Sequence, residues 1–209
     1  MTSPPTVPKM LSMFDHAAPA DPRPRQVELT TVSVDIADST RLAGIVGQRE
    51  FWEITEELFT LCCVGVQRFA GRIERFTGDG VMAAFTGEQH APRACRAALL
   101  LRDDIRGFSR ELRYQCGVIV RTRIGINSGE AMVGLLGGTE AAMCGYPVAL
   151  SKRIEELARP GTVCIGEATA ALLGEEFELR DGRVVEPRGA LGPLSVLELR
   201  AVEYAELAA

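Results

Sequence analysis

The chain reads as an α+β sandwich on a ferredoxin-like, split βαβ core: a mostly antiparallel sheet with flanking helices. Three observations carry that expectation. Long amphipathic helical patterns alternate with short runs of β-branched and apolar residues, so strands and helices are interleaved along the chain. Asp79-Gly80 lies between two apolar runs, a hairpin signal that demands antiparallel neighbours. The order of elements, strand, helix, hairpin, helix and a further strand pair, fits a split βαβ core.

Each element has its own reason. Residues 1–26 are rich in Pro, Ala and Asp without periodicity and read as a flexible leader, with one apolar patch, MLSMF, at 10–14. In VELTTVSVDIA (27–37) valines and threonines alternate as in a strand, and Asp35 falls at its end. Asp38-Ser39-Thr40 are all N-cap types and start a helix. Over 49–69 apolar residues recur at 52, 54, 58, 61, 62, 66 and 69, which predicts a long amphipathic helix ended by Gly71. Residues 72–77 and 81–85 form the hairpin strands around Gly78-Asp79-Gly80. Residues 90–112 give a second long helix, with Ala94, Ala97, Ala98, Leu101 and Ile105 on one face. Residues 118–127 and 131–136 read as another strand pair joined near Ser128-Gly129. A helix over 147–158 carries Pro147 in its first turn. A short strand (162–165), a short helix (167–173) and small strands complete a domain over 27–202, with 203–209 as a C-terminal tail.

Composition narrows the function classes. The net charge of −5 and pI near 5.2 advertise neither nucleic acid nor an anionic membrane surface as a partner. No apolar run reaches the roughly 18 residues of a membrane span, and MTSPPTVPKM lacks the apolar stretch of a secretory signal. The six cysteines form no C-x-x-C pair, and the expectation is reduced thiols in a cytoplasmic protein. Two histidines, His16 and His90, leave little room for histidine catalysis.

The chemistry concentrates on two acids. In a split βαβ core the first strand lies beside the first hairpin, so Asp35 and Asp79 converge. Paired carboxylates suit Mg²⁺ or Mn²⁺, with the Ile36 carbonyl placed to complete the shell. Ala37, Asp38, Ser39 and Thr40 lead into a helix N-terminus whose free amides attract phosphate, and Gly78 belongs to the turn beside Asp79. A metal beside a phosphate turn suggests phosphoryl or nucleotidyl transfer. The plainer alternative stays open here: Asp35 caps a turn and Asp79 makes a hairpin.

Four segments, SVDIADSTRLAGI (33–45), GRIERFTGDGVMAAF (71–85), RIGINSGEAMVG (123–134) and GYPVALSKRIEELARPGTVCI (145–165), together resemble the class III adenylate and guanylate cyclase catalytic domain. The resemblance spans about 27–199 in order and implies the class III nucleotidyl cyclase fold. It implies that Asp35 and Asp79 hold two divalent metal ions, Mg or Mn, over a nucleoside triphosphate. It implies attack of the ribose 3′-hydroxyl on the α-phosphorus, a cyclic nucleotide and pyrophosphate as products, and active sites shared across a homodimer. Arg153 matches the transition-state arginine carried by the partner's helix.

The departures fall on sugar and base. Ala149 stands where the family has a ribose-orienting Asn, and alanine offers no side-chain hydrogen bond. Arg75 stands where a purine-reading Lys is expected, and Ala142 near its Asp or Thr partner, in a segment (136–145) roughly three residues shorter than usual. Tyr146 replaces a common acid, and Asp38 a frequent glycine of the phosphate turn. Three readings follow: a purine nucleotide cyclase, a cyclase of altered specificity including a pyrimidine, or a weak or inactive cyclase-like domain that binds nucleotide or a partner in signalling.

Overall fold

The computed structural model describes residues 23–136, 140–185 and 192–202. Most of the expected leader, with MLSMF, and the tail at 203–209 lie outside them; the leader's last two residues, Arg25 and Gln26, already belong to a strand. The elements are β1 (Arg25–Ile36), α1 (Ser39–Val46), α2 (Gln48–Arg68), β2 (Arg72–Thr77), β3 (Gly80–Thr86), α3 (His90–Cys116), β4 (Thr122–Leu136), β5 (Glu140–Cys144), α4 (Tyr146–Leu157), β6 (Val163–Gly166), α5 (Glu167–Ala170), β7 (Phe177–Val185) and β8 (Leu194–Val202).

The eight strands form one sheet in the order β2-β3-β1-β4-β6-β8-β7, with β5 paired to β4. The first four strands lie as 2-3-1-4, which is the split βαβ arrangement expected. Only β4 and β6 pair in parallel among the described strands.

One expectation fails at β4. Residues 118–127 and 131–136 are not two strands joined by a turn. Residues 122–136 make one strand whose ladder on β1 runs unbroken through Thr30↔Ser128 and Leu29↔Gly129. Gly129 holds φ +151, a conformation that L side chains rarely adopt, and so carries the strand onward where Ser-Gly suggested a reversal. The hairpin partner of β4 is instead β5, inside the segment whose shortness the sequence had flagged. Residues 113–116 extend α3 beyond its expected end, and α5 stops at Ala170, short of 173.

β1 explains the two layers. Val32, Val34 and Ile36 point into the main core, against Ile54, Leu58, Cys62 and Val66 of α2 and Ala94, Ala97, Ala98, Leu101 and Ile105 of α3. The alanine face lets α3 approach the sheet closely. The alternate residues Thr31, Ser33 and Asp35 face α4. All six cysteines are free thiols, four of them buried. Burial pushes the Cys62 and Cys95 thiols above their ordinary range. Gly71 follows α2 for a packing reason. The residue with positive φ is Ala70, whereas a Cβ on Gly71 would overlap the Phe85 ring.

Candidate functional site

The hairpin tip brings the two acids together. Thr77 pairs with Gly80, so the two-residue turn is Gly78-Asp79, with Gly78 at φ +70. A positive φ at the first central residue is what a type II′ hairpin turn requires. Gly80 therefore does not make the turn. It begins β3 opposite Asp35, and a Cβ there would lie 2.8 Å from Thr77 Oγ1 and 2.9 Å from Asp35 Oδ1. The glycine is room for the Asp35 carboxylate.

Asp35 is half-buried, and burial pushes its carboxyl above the usual range. Lys152 and Arg123 pull it down, and the nearby charge of Asp79 pushes it up. Two carboxylates that repel one another beside main-chain oxygen are a hard donor set relieved by a divalent cation, and they fit Mg²⁺ or Mn²⁺. The described residues hold no group of three or more His, Cys, Asp and Glu placed for a metal, so the acids present themselves as a pair. Ile36 has its side chain in the core and pairs with Thr122, so it offers the site only main chain.

The turn expected to bind phosphate follows directly. Ala37 donates its N–H to Arg121 O at 2.8 Å, and α1 begins at Ser39 and Thr40. Asp38 adopts φ 56, the left-handed conformation a glycine would take at this place, and makes no side-chain cap. Asp tolerates that region better than most residues, which explains how it stands in for glycine. Its carboxylate lies 3.9 Å from Arg123 Nη2.

α4 carries the rest on two faces. Its inner face lies on β1 and β4: Thr31 Oγ1 donates to Pro147 O at 3.0 Å, and the Ser33 and Ser151 hydroxyls lie 3.0 Å apart. Gly125 of β4 makes this possible, because a Cβ there would overlap Ser151 O and Glu155 N. On the outer face Ala149 and Arg153, four residues apart, are exposed. Arg153 Nη1 pairs with Glu156 Oε2 at 2.7 Å, and 47% of the Arg153 side chain is exposed. Its partner lies on its own helix, and Asp35 is paired with Lys152 instead. Tyr146, 52% exposed, opens the helix.

Arg75 reaches the β5 residue next to Ala142. Arg75, exposed on β2, donates from Nη2 to Met143 O of β5 at 3.4 Å, beside half-buried Ala142, which pairs with Gly134.

Two residues escaped the sequence reading. Lys152 Nζ lies 3.6 Å from Asp35 Oδ1 and pairs more closely with Glu155 Oε2. Glu155 is fully buried, and burial pushes its carboxyl up to about 7 against the pull of Lys152. Burial opposes the charge on Lys152, yet Glu155 and then Asp35 hold its ammonium above the ordinary value. The available signal was the i, i+3 spacing of Lys152 and Glu155, masked because Arg153 and Glu156 share it.

Comparison with known proteins now gives the class. Residues 24–196 match the family described as the adenylate and guanylate cyclase catalytic domain, and the chain belongs to that family. It is 28% identical over 184 residues to adenylate cyclase 1 of Rhizobium meliloti (strain 1021), covering 84% of this chain and 28% of that protein. It is 24% identical over 142 residues to the uridylate cyclase of Rhodovulum sp. (strain MB263), covering 63% of this chain and 59% of that one. The chain thus spans less than two thirds of the length of these relatives. The fold is that of the solved adenylyl cyclase CyaB from P. aeruginosa, with TM-score 0.80 and 21% identity over 87% of this chain and 97% of that one. Among the described residues no helix is long and apolar enough to cross a membrane.

Proposed function

We propose that the chain is a catalytic domain that converts a nucleoside triphosphate to a 3′,5′-cyclic nucleotide and pyrophosphate, as a homodimer with shared active sites and with Mg²⁺ or Mn²⁺. The single observation that carries this reading is the convergence of Asp35 and Asp79 beside the phosphate turn, with Gly80 leaving space for the carboxylate. Bound at these acids, the divalent ions would activate the 3′-hydroxyl and offset charge on the triphosphate.

The chain's own residues have distinct tasks. Asp35, Asp79 and the Ile36 main chain hold the ions. Ser39 and Thr40 offer amides to phosphate oxygens, with Ala37, whose own N–H is held by Arg121 O, and Asp38 and Gly78 bordering them. Arg153 steadies negative charge building on the α-phosphate as the 3′-oxygen bonds to phosphorus and pyrophosphate departs. Its exposure on the outer face of α4 supports delivery to the site of a second copy. Arg75, Ala142 and Tyr146 border the base, and Ala149 the ribose.

Ala149 is a specific observation in favour of a second reading, a weak or inactive cyclase-like domain that binds nucleotide or a partner in signalling. The base stays within purine and pyrimidine range, since relatives named adenylate and uridylate cyclases both align with this chain. The test is incubation with Mn²⁺ and each of ATP, GTP, CTP and UTP, products read by mass spectrometry, beside Asp79→Ala. A cyclic product from one nucleotide, absent in the variant, is the expected result. Silence with all four at high protein concentration, with the dimer verified, removes the catalytic reading.

A further inference from the structure

Lys152 is the cation nearest a metal-holding carboxylate, and neither the metal chemistry nor the transition-state chemistry accounts for it. Its long flexible stem leaves the ammonium free to adopt many positions. It lies instead between two acids, against Glu155 Oε2 and 3.6 Å from Asp35 Oδ1. Glu155 is the fixed anchor: it is fully buried, and Gly125 lets α4 press its backbone at 151 and 155 onto the sheet. Asp35 is the looser partner, so the ammonium keeps one acid when it gives up the other.

The geometry points to Lys152 as a tethered counter-ion of the metal site: its ammonium neutralises Asp35 in the nucleotide-free protein, and a divalent ion reaches that carboxylate only by displacing it toward Glu155. This rests on the metal reading given above. Free metal ion then binds weakly, because it competes with a resident charge for Asp35 and meets the repulsion of that charge once displaced. A unit charge held about 4 Å away across an intermediate dielectric is large enough to shift affinity by tenfold or more. A triphosphate offsets the extra positive charge, so metal and nucleotide enter favourably together.

The test is Mn²⁺ binding to the full chain without nucleotide, with unbound ion counted by its room-temperature EPR signal. Lys152→Met alone leaves Glu155 buried without a partner and risks instability, so Lys152→Met/Glu155→Gln removes both charges together. Melting temperatures check that each protein folds. Asp35→Asn/Asp79→Asn gives the baseline. The expected result is weak binding by the wild type, about tenfold tighter binding by the Lys152 variants, and loss of that gain when Asp35→Asn is added. Equal affinity in wild type and Lys152 variants, both above baseline, overturns the tether and leaves the metal reading standing. Binding no better than baseline in every protein overturns both.

Discussion

The two halves of the site are built differently. The half proposed to hold metal lies within one chain, on strand ends: Asp35 is fixed by ladders to both β3 and β4, and Asp79 by a two-residue turn. The residues proposed for sugar and base lie mostly on an exposed helix face and on β5. Arg153 there pairs with a neighbour on its own helix, whereas Asp35 pairs across elements with Lys152. Residues held by the sheet come into position when the chain folds. Residues on the open face of α4 need something opposite them, and sequence change there disturbs no core. That difference accounts for intact acids beside an altered Ala149, Tyr146 and Ala142.

The largest effect that separates the halves is expected at Arg153. Arg153→Ala should lower cyclase activity about 10²–10³-fold, the scale for loss of one transition-state donor. Mn²⁺ binding and melting temperature should stay unchanged, because the exposed pair with Glu156 is worth little to stability. Mixing this variant with Asp79→Ala sharpens the comparison. If one chain supplies the acids and its partner the arginine, half of the randomly paired dimers are mixed and carry one intact site of two. About a quarter of wild-type activity should then return. A mixture as inactive as its components would place both halves in one chain.

The next effect concerns the inner face of α4. Burial penalises the charge of Glu155 and pushes its carboxyl up from an ordinary 4.5 to about 7. Lys152, Asp35 and Glu156 are the charged groups around it. The folded state therefore holds this proton more tightly than the unfolded state. Stability from this group is full below about pH 4.5, falls as pH rises toward 7, and levels off above it. The loss is on the order of 3 kcal/mol. Chemical denaturation of metal-free protein from pH 5 to 8 should show the decline in wild type and a flatter profile in Glu155→Gln. Equal slopes would mean that Lys152 fully compensates the buried charge.

Much of this was legible in the sequence where local and tertiary demands agree. The β1 alternation separates a core face from a polar face, and Asp35 falls on the polar one. Asp79-Gly80 marked the hairpin correctly but for another reason: Gly78 makes the turn, and Gly80 keeps space for Asp35. Ser128-Gly129 misled, because a glycine with positive φ also sits inside a strand that runs on. β5 was missed, since EAAMC has weak strand propensity and gains its place from pairing with β4. Helical spacing sets Trp52 among the apolar positions of its helix, yet it is 70% exposed. Lys152 was invisible because helical periodicity gives faces but not which acid a long side chain reaches.

The smallest effect probes the altered half directly. Ala149 is exposed on the face of α4 that carries Arg153, so an asparagine fits there without disturbing packing. If the ribose is under-held only because this side chain lacks a donor, Ala149→Asn should raise kcat about tenfold, roughly 1.4 kcal/mol of transition-state stabilisation. KM should change little, because a contact made mainly in the transition state acts on kcat. A fall in activity would carry a different meaning. It would show that Tyr146, Arg75 and the short β4–β5 segment form a sugar and base site of their own, into which the asparagine intrudes. The half that looks eroded would then be rebuilt. The nucleotide most affected, read in competition among the four triphosphates, would identify the base it was rebuilt for.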